Sequence, residues 1–589
     1  MKKIHVVVQG KDSASALEAL STLGTVHVEY LQKPEGAEIA RLQEEAASLR
    51  RIEAALANER TDNALGKPAD IASWAKEVTE ALNRIQELEE AIAGRTVEMN
   101  RWAPWGDFSP EDVEGLREKN FDVQLLKIPL KALADIPRDV VLEKIFIEQG
   151  LAHCVAVSPG KITLPFEPVR LPKTSLSRMQ SLQEKDQQSL QEARRKIRGY
   201  APYQAEFGAY RRQLEFDLSY QELLKGMGQT ENLVYLKGYC PAESVPRLEA
   251  AAQKEQWALL IEDPAEDEPV PTLLRNPRWV EIIKPVFQLM NIVPGYRETD
   301  VSIVFLLFFS VFFGILIGDA AYGLIFALAT GWVHRKWGKR IPDKTPIFLM
   351  YVLSGFAVLW GALTGTFFGQ EWLAPGVGLP WLKDNLNVQL LCFIIGVVQL
   401  SIARLWRIVV KFPHISFLGE VGWLSLLWGM FFGAKTLVLN IPFPSWAKIF
   451  FIVGAACVIL FSSPRKSLGR TVGAGLGSFL LKITNTFTDI VSYIRLFAVG
   501  LASVAIADVF NSMAMGMGFG DPLKGLTAAL ILVIGHVFNL VLGSLAVLVH
   551  GLRLNVLEFS GHLDMEWAGR EYQPFRRIKG GKVSGSPPF

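Results

Sequence analysis

Two arginines stand where arginines are costly. Arg495 and Arg553 lie inside long apolar runs, and an ionised side chain at mid-bilayer depth costs about 2.5 to 3.5 kcal/mol on insertion scales, and more by simulation. Arginine keeps its proton under essentially all conditions, so it is a poor proton carrier but a permanent cation, suited to controlling the charge of another group. At about 100° per residue on a helix, Arg495 shares a stripe with Asn485, Thr488, Ser492 and Ala502. In a later run His536, Asn539, Gly543, Ala546, His550 and Arg553 likewise follow steps of three and four. Small residues that let helices approach, with Asn and His bonding across, would explain most of such a stripe by packing alone. Packing does not require two arginines.

The remaining intramembrane charges divide by position. His550, three residues before Arg553, could relay protons or donate a structural hydrogen bond. Asp489 and Asp508 fall roughly 120° and 140° from the Arg495 face and could pair with neighbouring helices or line a pathway. Arg404, Lys435, Lys448 and Glu558 lie near the ends of apolar segments and are expected to snorkel. Asp319, after Gly318, reads first as part of a tight turn between two apolar runs.

The elements that must position these groups split the chain in two. Of the 589 residues 50% are hydrophobic and 20% charged, with a mean hydropathy of +0.22. Most charges precede about residue 300, so the average conceals a charged half and an apolar half. In the first half the pattern predicts strand, helix and strand over 4–8, 14–23 and 25–30, with Gly24 stopping the helix. Leucines and isoleucines then recur every three or four residues over about 35–60 and 81–100, and a second charged helical stretch covers about 182–224, broken near Gly199 to Pro202. These two arms flank a strand-rich segment, 121–175, and could pair antiparallel. A second compact unit is expected from strand 233–239, helix 245–256 and strand 258–262, followed by the acidic, proline-containing linker 263–271.

The second half carries about eight apolar segments: 301–317, 319–334, 347–369, 388–410, 418–440, 445–462, 474–513 and 524–559. Several are long enough to cross roughly 30 Å of hydrocarbon, and the last two exceed a simple span. Basic loops recur at Arg335 to Lys344, at Arg404 to Lys411, at Arg465, Lys466 and Arg470, and at Arg576, Arg577 and Lys579. The intervening loops are nearly free of them, which predicts eight crossings with both ends of the chain cytoplasmic. Expected domains are therefore 1–290, cytoplasmic, with two small α/β lobes and arms at roughly 35–100 and 182–225; 291–560, an all-α polytopic membrane domain; and 561–589, a cytoplasmic tail.

Several function classes drop out. The net charge of +2 spreads over intermixed signs and points to no nucleic acid. Four cysteines, Cys154, Cys240, Cys392 and Cys457, form no CxxC pair and suggest neither a disulfide framework nor a zinc site. No phosphate loop, nucleophile elbow, HExxH or dinucleotide fingerprint occurs, so neither ATP hydrolysis nor any cofactor is expected of this chain. The opening residues, MKKIHVVVQG, lack the apolar core of a signal peptide.

Three membrane-half motifs carry a resemblance. FFGILIGDAAYGL, Phe312 to Leu324, resembles the FFG-x-x-x-GDAGYGL signature of the a/I subunits of vacuolar-type and archaeal-type rotary ATPases, with Ala321 in place of a glycine. SYIRLFAVGLA, Ser492 to Ala502, and GHVFNLVLGSLAVLVHGLRLNVLE, Gly535 to Glu558, resemble two further elements of that family in the same order. RWAPWGDF (101–108), LVYLKGYCPAESVPRL (233–248) and IEDPAEDEPVPTLLRNP (261–277) match its style in the soluble half. Several eukaryotic relatives carry a glutamate where Gly543 stands and a histidine where Ser503 stands.

The resemblance implies a membrane stator subunit in the plasma membrane, with α/β lobes on long antiparallel coiled-coil helices. Its partners would be a rotor ring of proteolipid subunits, each with one carboxylate, peripheral-stalk subunits on the N-terminal domain, a central-stalk or ring-cap subunit, and the lipid bilayer. It further implies that Arg495 faces the ring, that Arg553 assists, and that H⁺ or Na⁺ crosses by two offset half-channels. Ser492, His536, Asn539, His550, Glu558 and Asp489 are then the candidates to line the path. A secondary transporter, or a structural tether with coiled arms, is the alternative. The first would place polar groups at broken helices in corresponding positions of two halves, and no such internal symmetry is visible.

Overall fold

The computed structural model describes residues 1–57, 70–136, 140–230, 232–339, 341, 343–370, 376, 378–461, 482–518 and 520–577, with the side chains of 134 and 135 excepted. Arg340, Arg465, Lys466, Arg470 and Lys579 of the expected basic loops, and residues 474–481 of the seventh apolar segment, lie outside these.

Strand Lys2–Gln9 alternates apolar and polar residues and buries Ile4, Val6 and Val8 on one face, as a half-buried strand must. Helix Ser13–Leu23 ends where predicted: Gly24 takes a positive φ of 62° and its N–H caps the Leu20 carbonyl. One expectation is overturned. The opening unit and the unit over 233–262 are not separate lobes, because Lys2–Gln9 pairs antiparallel with Leu233–Cys240 on one side and Ala258–Glu262 on the other. His27–Glu29 and Gly228–Thr230 complete one five-stranded sheet. A β-α-β unit of two short strands leaves unpaired edges and little buried area, and joining two such units satisfies both.

The second lobe is the strand-rich segment: a four-stranded sheet in the order Val141–Glu148, Leu151–Pro159, Phe121–Pro129, Pro168–Val169. Two helix pairs connect the lobes. Ala37–Ala57 lies against Gln204–Gly226, and Ile71–Trp102 against Leu176–Arg198. Both pairs are antiparallel: Gln43 meets Glu222 and Arg50 meets Glu215 in the first, Arg95 meets Asp186 and Arg194 meets Glu89 in the second. The break near Gly199 is a short 3-10 turn, Ala201–Tyr203.

All eight apolar segments contribute helices. Among the described residues five are long and apolar enough to cross a membrane: Thr345–Thr364, Asn385–Lys411, Phe417–Leu439, Lys482–Met517 and Pro522–His562. Ser302–Ile317 and Ala320–Trp337 are bent by 119° and count together as a sixth at most, while Ser445–Phe461 is shorter. Length and composition alone thus mark five to six spans among the described residues, where the sequence predicts eight crossings. At about 1.5 Å per residue the last two, of 36 and 41 residues, run about 54 and 62 Å, well beyond the hydrocarbon core.

The chain closes on itself. Past the last helix, Arg570–Glu571 pairs with Pro271–Thr272, the Phe575 and Arg577 amides donate to Val26 and Ser21 carbonyls, and Phe575 stacks on Phe216 at 5.5 Å. The segment expected as a cytoplasmic tail is docked, through residue 577, onto the first lobe, and it marks that end of the helix bundle as the lobe side.

Candidate functional site

The helix carrying Arg495, Lys482–Met517, tightens just before the arginine: the Tyr493 amide donates to Ile490 and the Leu496 amide to Tyr493, bonds of 3-10 type. Tyr493 is fully buried over Gly396, where a Cβ would lie 2.5 Å from its ring. Its hydroxyl donates to Gln399 Oε1 at 2.8 Å, and Gln399 Nε2 donates to Asn555 Oδ1 at 2.9 Å. This buried triplet fixes the Arg495 helix against Asn385–Lys411 and the last helix.

Two residues on, Arg495 Nη2 donates to Ser492 Oγ at 2.8 Å. Its Nη1 lies 3.6 Å from Glu558 Oε1, and Arg553 Nε lies 3.4 Å from the same oxygen. The Glu558 side chain is 4% exposed, those of Arg495 and Arg553 28% and 52%. Arg495 Nη1, Glu558 Oε2 and His550 Nδ1 are buried with no hydrogen-bond partner among the described residues. Buried polar atoms without partners cost free energy, so the arrangement is one that a further polar group would complete.

The snorkelling expectation fails for Glu558 and Arg404, both buried, and the second stripe changes face. Asn539, Gly543, Val547, Gly551 and Asn555 are buried, a repeat of four that an ideal α-helix could not keep on one side. Wider π turns at Val547–Gly551 and Leu554–Phe559 absorb the drift. They leave Arg553 off the Asn539 face and put Glu558 on the buried one. His536 and Asn539 hydrogen-bond to neighbouring helices, and a Cβ on Gly543 would sit 3.2 Å from Ile317.

On the side away from the lobes, the polar groups form a hydrogen-bonded cluster. Asn539 Nδ2 donates to the Ser503 carbonyl at 2.7 Å and to Tyr322 Oη at 3.1 Å. Tyr322 Oη meets His536 Nδ1 at 2.7 Å, and His536 Nε2 meets Asn511 Oδ1 at 3.2 Å. Asp508 accepts from Gln370 at 2.9 Å. Asp319 is structural, as expected: it caps Ala320–Trp337 by accepting from Ala321 and Tyr322 amides and also takes the Gly369 amide.

On the lobe side, charges pair. Asp489 Oδ2 lies 3.0 Å from His562 Nε2, and His562 Nδ1 accepts from Arg404 Nε at 3.1 Å. Arg404 Nη1 reaches Glu420 at 3.1 Å, and Glu420 also holds Arg407 at 2.7 Å and Lys411 at 2.6 Å. Among the described residues no group of His, Cys, Asp and Glu could hold a metal ion.

Comparison with known proteins decides the family. No family model matches the chain. It is 31% identical to V-type ATP synthase subunit I of Borreliella burgdorferi, over 98% of this chain and 99% of that one. The chain belongs to the V-type ATP synthase subunit I family. It is likewise 30% identical to V-type ATP synthase subunit I 1 of Treponema pallidum over 98% and 99% of the two chains. A-type ATP synthase subunit I of Methanocaldococcus jannaschii is 25% identical over 59% of this chain and 56% of its own. Among solved structures, the cytoplasmic N-terminal domain of subunit I, the homologue of V-ATPase subunit a, is matched over its full length and 44% of this chain, at 15% identity and a TM-score of 0.24. With its apolar helices, this subunit I is a membrane protein.

Sequence reasoning missed several groups that this subunit I brings to the site. His562 lies just beyond the last apolar segment, and Glu420 at the start of another. The sequence signal for Glu420 was weak but present: an acid in the first turn of an apolar helix, within one loop of Arg404, Arg407 and Lys411. Tyr493 lay inside the SYIRLFAVGLA motif but drew no role of its own, and Gln399 gave no signal, since a tyrosine or glutamine in an apolar helix has many bland uses.

Proposed function

We propose that this subunit I is the membrane stator of a rotary ATPase, in which Arg495 controls the charge of ion-carrying carboxylates on a rotor ring. One observation carries the reading: two arginines from different helices converge on one buried carboxylate, Glu558, at ion-pair distances, and among the described residues Arg495 Nη1 and Glu558 Oε2 have no hydrogen bond. Arg495 and Arg553 are the partly exposed members, and apolar residues beside them, Leu501, Val541, Leu545, Leu548 and Val549, are exposed as well. That surface suits an apolar rotor ring carrying a single polar group per subunit.

The electrostatics give the mechanism. A carboxylate facing lipid is kept neutral by desolvation, with its proton or a bound cation. Opposite a guanidinium about 4 Å away the ionised form gains about 4 kcal/mol at an effective dielectric near 20, so the ion leaves. Glu558 holds the arginine pair in place between such encounters, and Arg553 shares its charge. The polar groups on the two sides of Arg495 then serve two offset half-channels: Ser503, Asn539, Tyr322, His536, Asn511 and Asp508 on the far side, Asp489, His550 and Glu558 on the lobe side. Arg495 separates them, so ions pass only with rotation.

In this reading the lobe side is cytoplasmic, eight crossings place both ends of the chain there, and the membrane is the plasma membrane. The paired arms act as coiled coils that bind peripheral-stalk subunits and resist torque, a ring-cap subunit sits over the rotor, and ATP is hydrolysed or made on other subunits. H⁺ or Na⁺ is the cargo.

The test is ATP-driven ion uptake by reconstituted vesicles containing the assembled complex. Arg495→Ala abolishes uptake, and Arg495→Lys also fails because a point charge cannot span Ser492 and a ring carboxylate as a planar fork does. Normal uptake by Arg495→Ala overturns the proposal.

A further inference from the structure

The lobe-side network contains a proton position that can be read from geometry alone. A guanidinium has five N–H donors and no acceptor. His562 Nδ1, 3.1 Å from Arg404 Nε, must therefore present its lone pair. The ring proton is then on Nε2, aimed at Asp489 Oδ2 3.0 Å away. An imidazolium here would set N–H against N–H beside the second guanidinium, Arg407.

Every element around the ring contributes to this arrangement. Asn385–Lys411 supplies Arg404, Arg407 and Lys411. Phe417–Leu439 supplies Glu420, which binds all three, and Trp423, whose ring lies 5.7 Å from the Arg404 guanidinium. The segment after the last helix supplies Asp564, paired to Arg407. The Arg495 helix supplies Asp489, and the last helix His562 itself. Three cations face three carboxylates, Glu420, Asp564 and Asp489, so the cluster is neutral when His562 is neutral. The buried side of Asp489 is thereby occupied by one fixed donor, while 27% of its side chain stays open. It lies six residues before Arg495, about 9 Å along the helix axis.

We propose that His562, held in its neutral Nε2–H form by Arg404, is a positioning residue that orients the Asp489 carboxylate for ion exchange in the lobe-side access path. The inference rests on the stator reading above and adds to it a residue placed there by neither motif nor stripe. His562 does not itself carry the ion; it fixes which oxygen of Asp489 is committed to the protein and which is free.

Glutamine tests this, because its amide oxygen can accept from Arg404 while its amide nitrogen donates to Asp489, and it does not titrate. In the assembled complex His562→Gln keeps ATP-driven uptake within about twofold of the parent, with the same pH profile. His562→Ala loses at least tenfold and alters the profile, Asp489→Asn loses at least as much, and the double variant is no worse than Asp489→Asn alone, as expected of one unit. Assembly and ATP hydrolysis are measured on each variant. A shifted profile in His562→Gln would show that the imidazole titrates and would overturn the neutral assignment. Normal uptake by Asp489→Asn, or a His562→Ala loss with the profile unmoved, would reduce the network to a structural tie. Neither result touches the stator reading, which stands or falls on Arg495→Ala.

Discussion

The arms and the membrane bundle of this subunit I use the same ion pairs to opposite ends. On the arms, Arg211 bridges Glu53 and Glu215 at 2.9 and 2.8 Å, and Arg50 adds a second bond to Glu215. These side chains are 23% to 65% exposed, so water competes for each and the net stabilisation per pair is about 1 kcal/mol or less. In the bundle, Glu558 and Glu420 are almost wholly buried among cations. There desolvation is severe and partners must be supplied in full. The Glu420 cluster meets that demand. The Glu558 site does not, and an unmet demand in a low-dielectric place is what a moving partner can satisfy. The difference teaches where to look for function: among buried charges, at the group whose partners are incomplete.

Replacing Glu558 breaks that contrast most severely. Glu558→Gln removes the only carboxylate that both Arg495 and Arg553 approach among the described residues, leaving two guanidiniums to repel each other and to bind a ring carboxylate too tightly to release it. ATP-driven uptake in vesicles should fall at least tenfold while the complex still assembles. Uptake near the parent's rate would show that Glu558 is a bystander.

How much of this was legible beforehand follows the same division. The arms, their antiparallel pairing and the helical segments of the second half could be read because apolar periodicity reports one face of one helix at a time. Arg495 stood out because nothing bland accounts for an arginine far from any segment end, and the structure places it beside buried Glu558. Glu558 was misjudged because it lies near such an end, and the π turns that rotate it inward leave no mark in a pattern of threes and fours. His562 lay outside the last apolar run, and its partner Asp489 is 73 residues earlier. The merger of two α/β units into one sheet was missed for the same reason: strand Lys2–Gln9 pairs with residues more than 220 positions away, and pairing across such distances is decided by edges and burial, not by local spacing.

Glu420→Ala probes the complete cluster and should be the next largest effect, of a different kind. Among the described residues, removing the shared acceptor leaves Lys411 without its carboxylate, Arg404 hydrogen-bonded to His562 alone and Arg407 paired with Asp564 alone, and breaking a buried pair costs about 3 to 5 kcal/mol. Heat inactivation of the complex should come several degrees earlier. Arg211→Ala on the arms should cost about 1 kcal/mol or less, measured by thermal melting followed by circular dichroism. If the two variants cost the same, burial is not what separates the two regions.

The smallest effect expected is a pH dependence confined to the arms. Burial pushes the Glu215 carboxyl up, but hydrogen bonds and charge from Arg50 and Arg211 outweigh it and hold the group below the ordinary glutamate value of 4.5. A carboxyl whose value is depressed on folding contributes stability that is fully present above its unfolded value and is lost as pH falls through its folded one. The arm pairing of Ala37–Ala57 with Gln204–Gly226 should therefore be insensitive to pH from neutrality down to about 4.5 and loosen below it, seen as earlier melting of helical signal. Glu215→Gln should melt slightly earlier at neutral pH and show a smaller further loss in acid. A variant with the parent's full acid sensitivity would mean that other carboxylates set the limit, and that even on the arms, where pairs are closed, stability is spread too widely for one residue to report it.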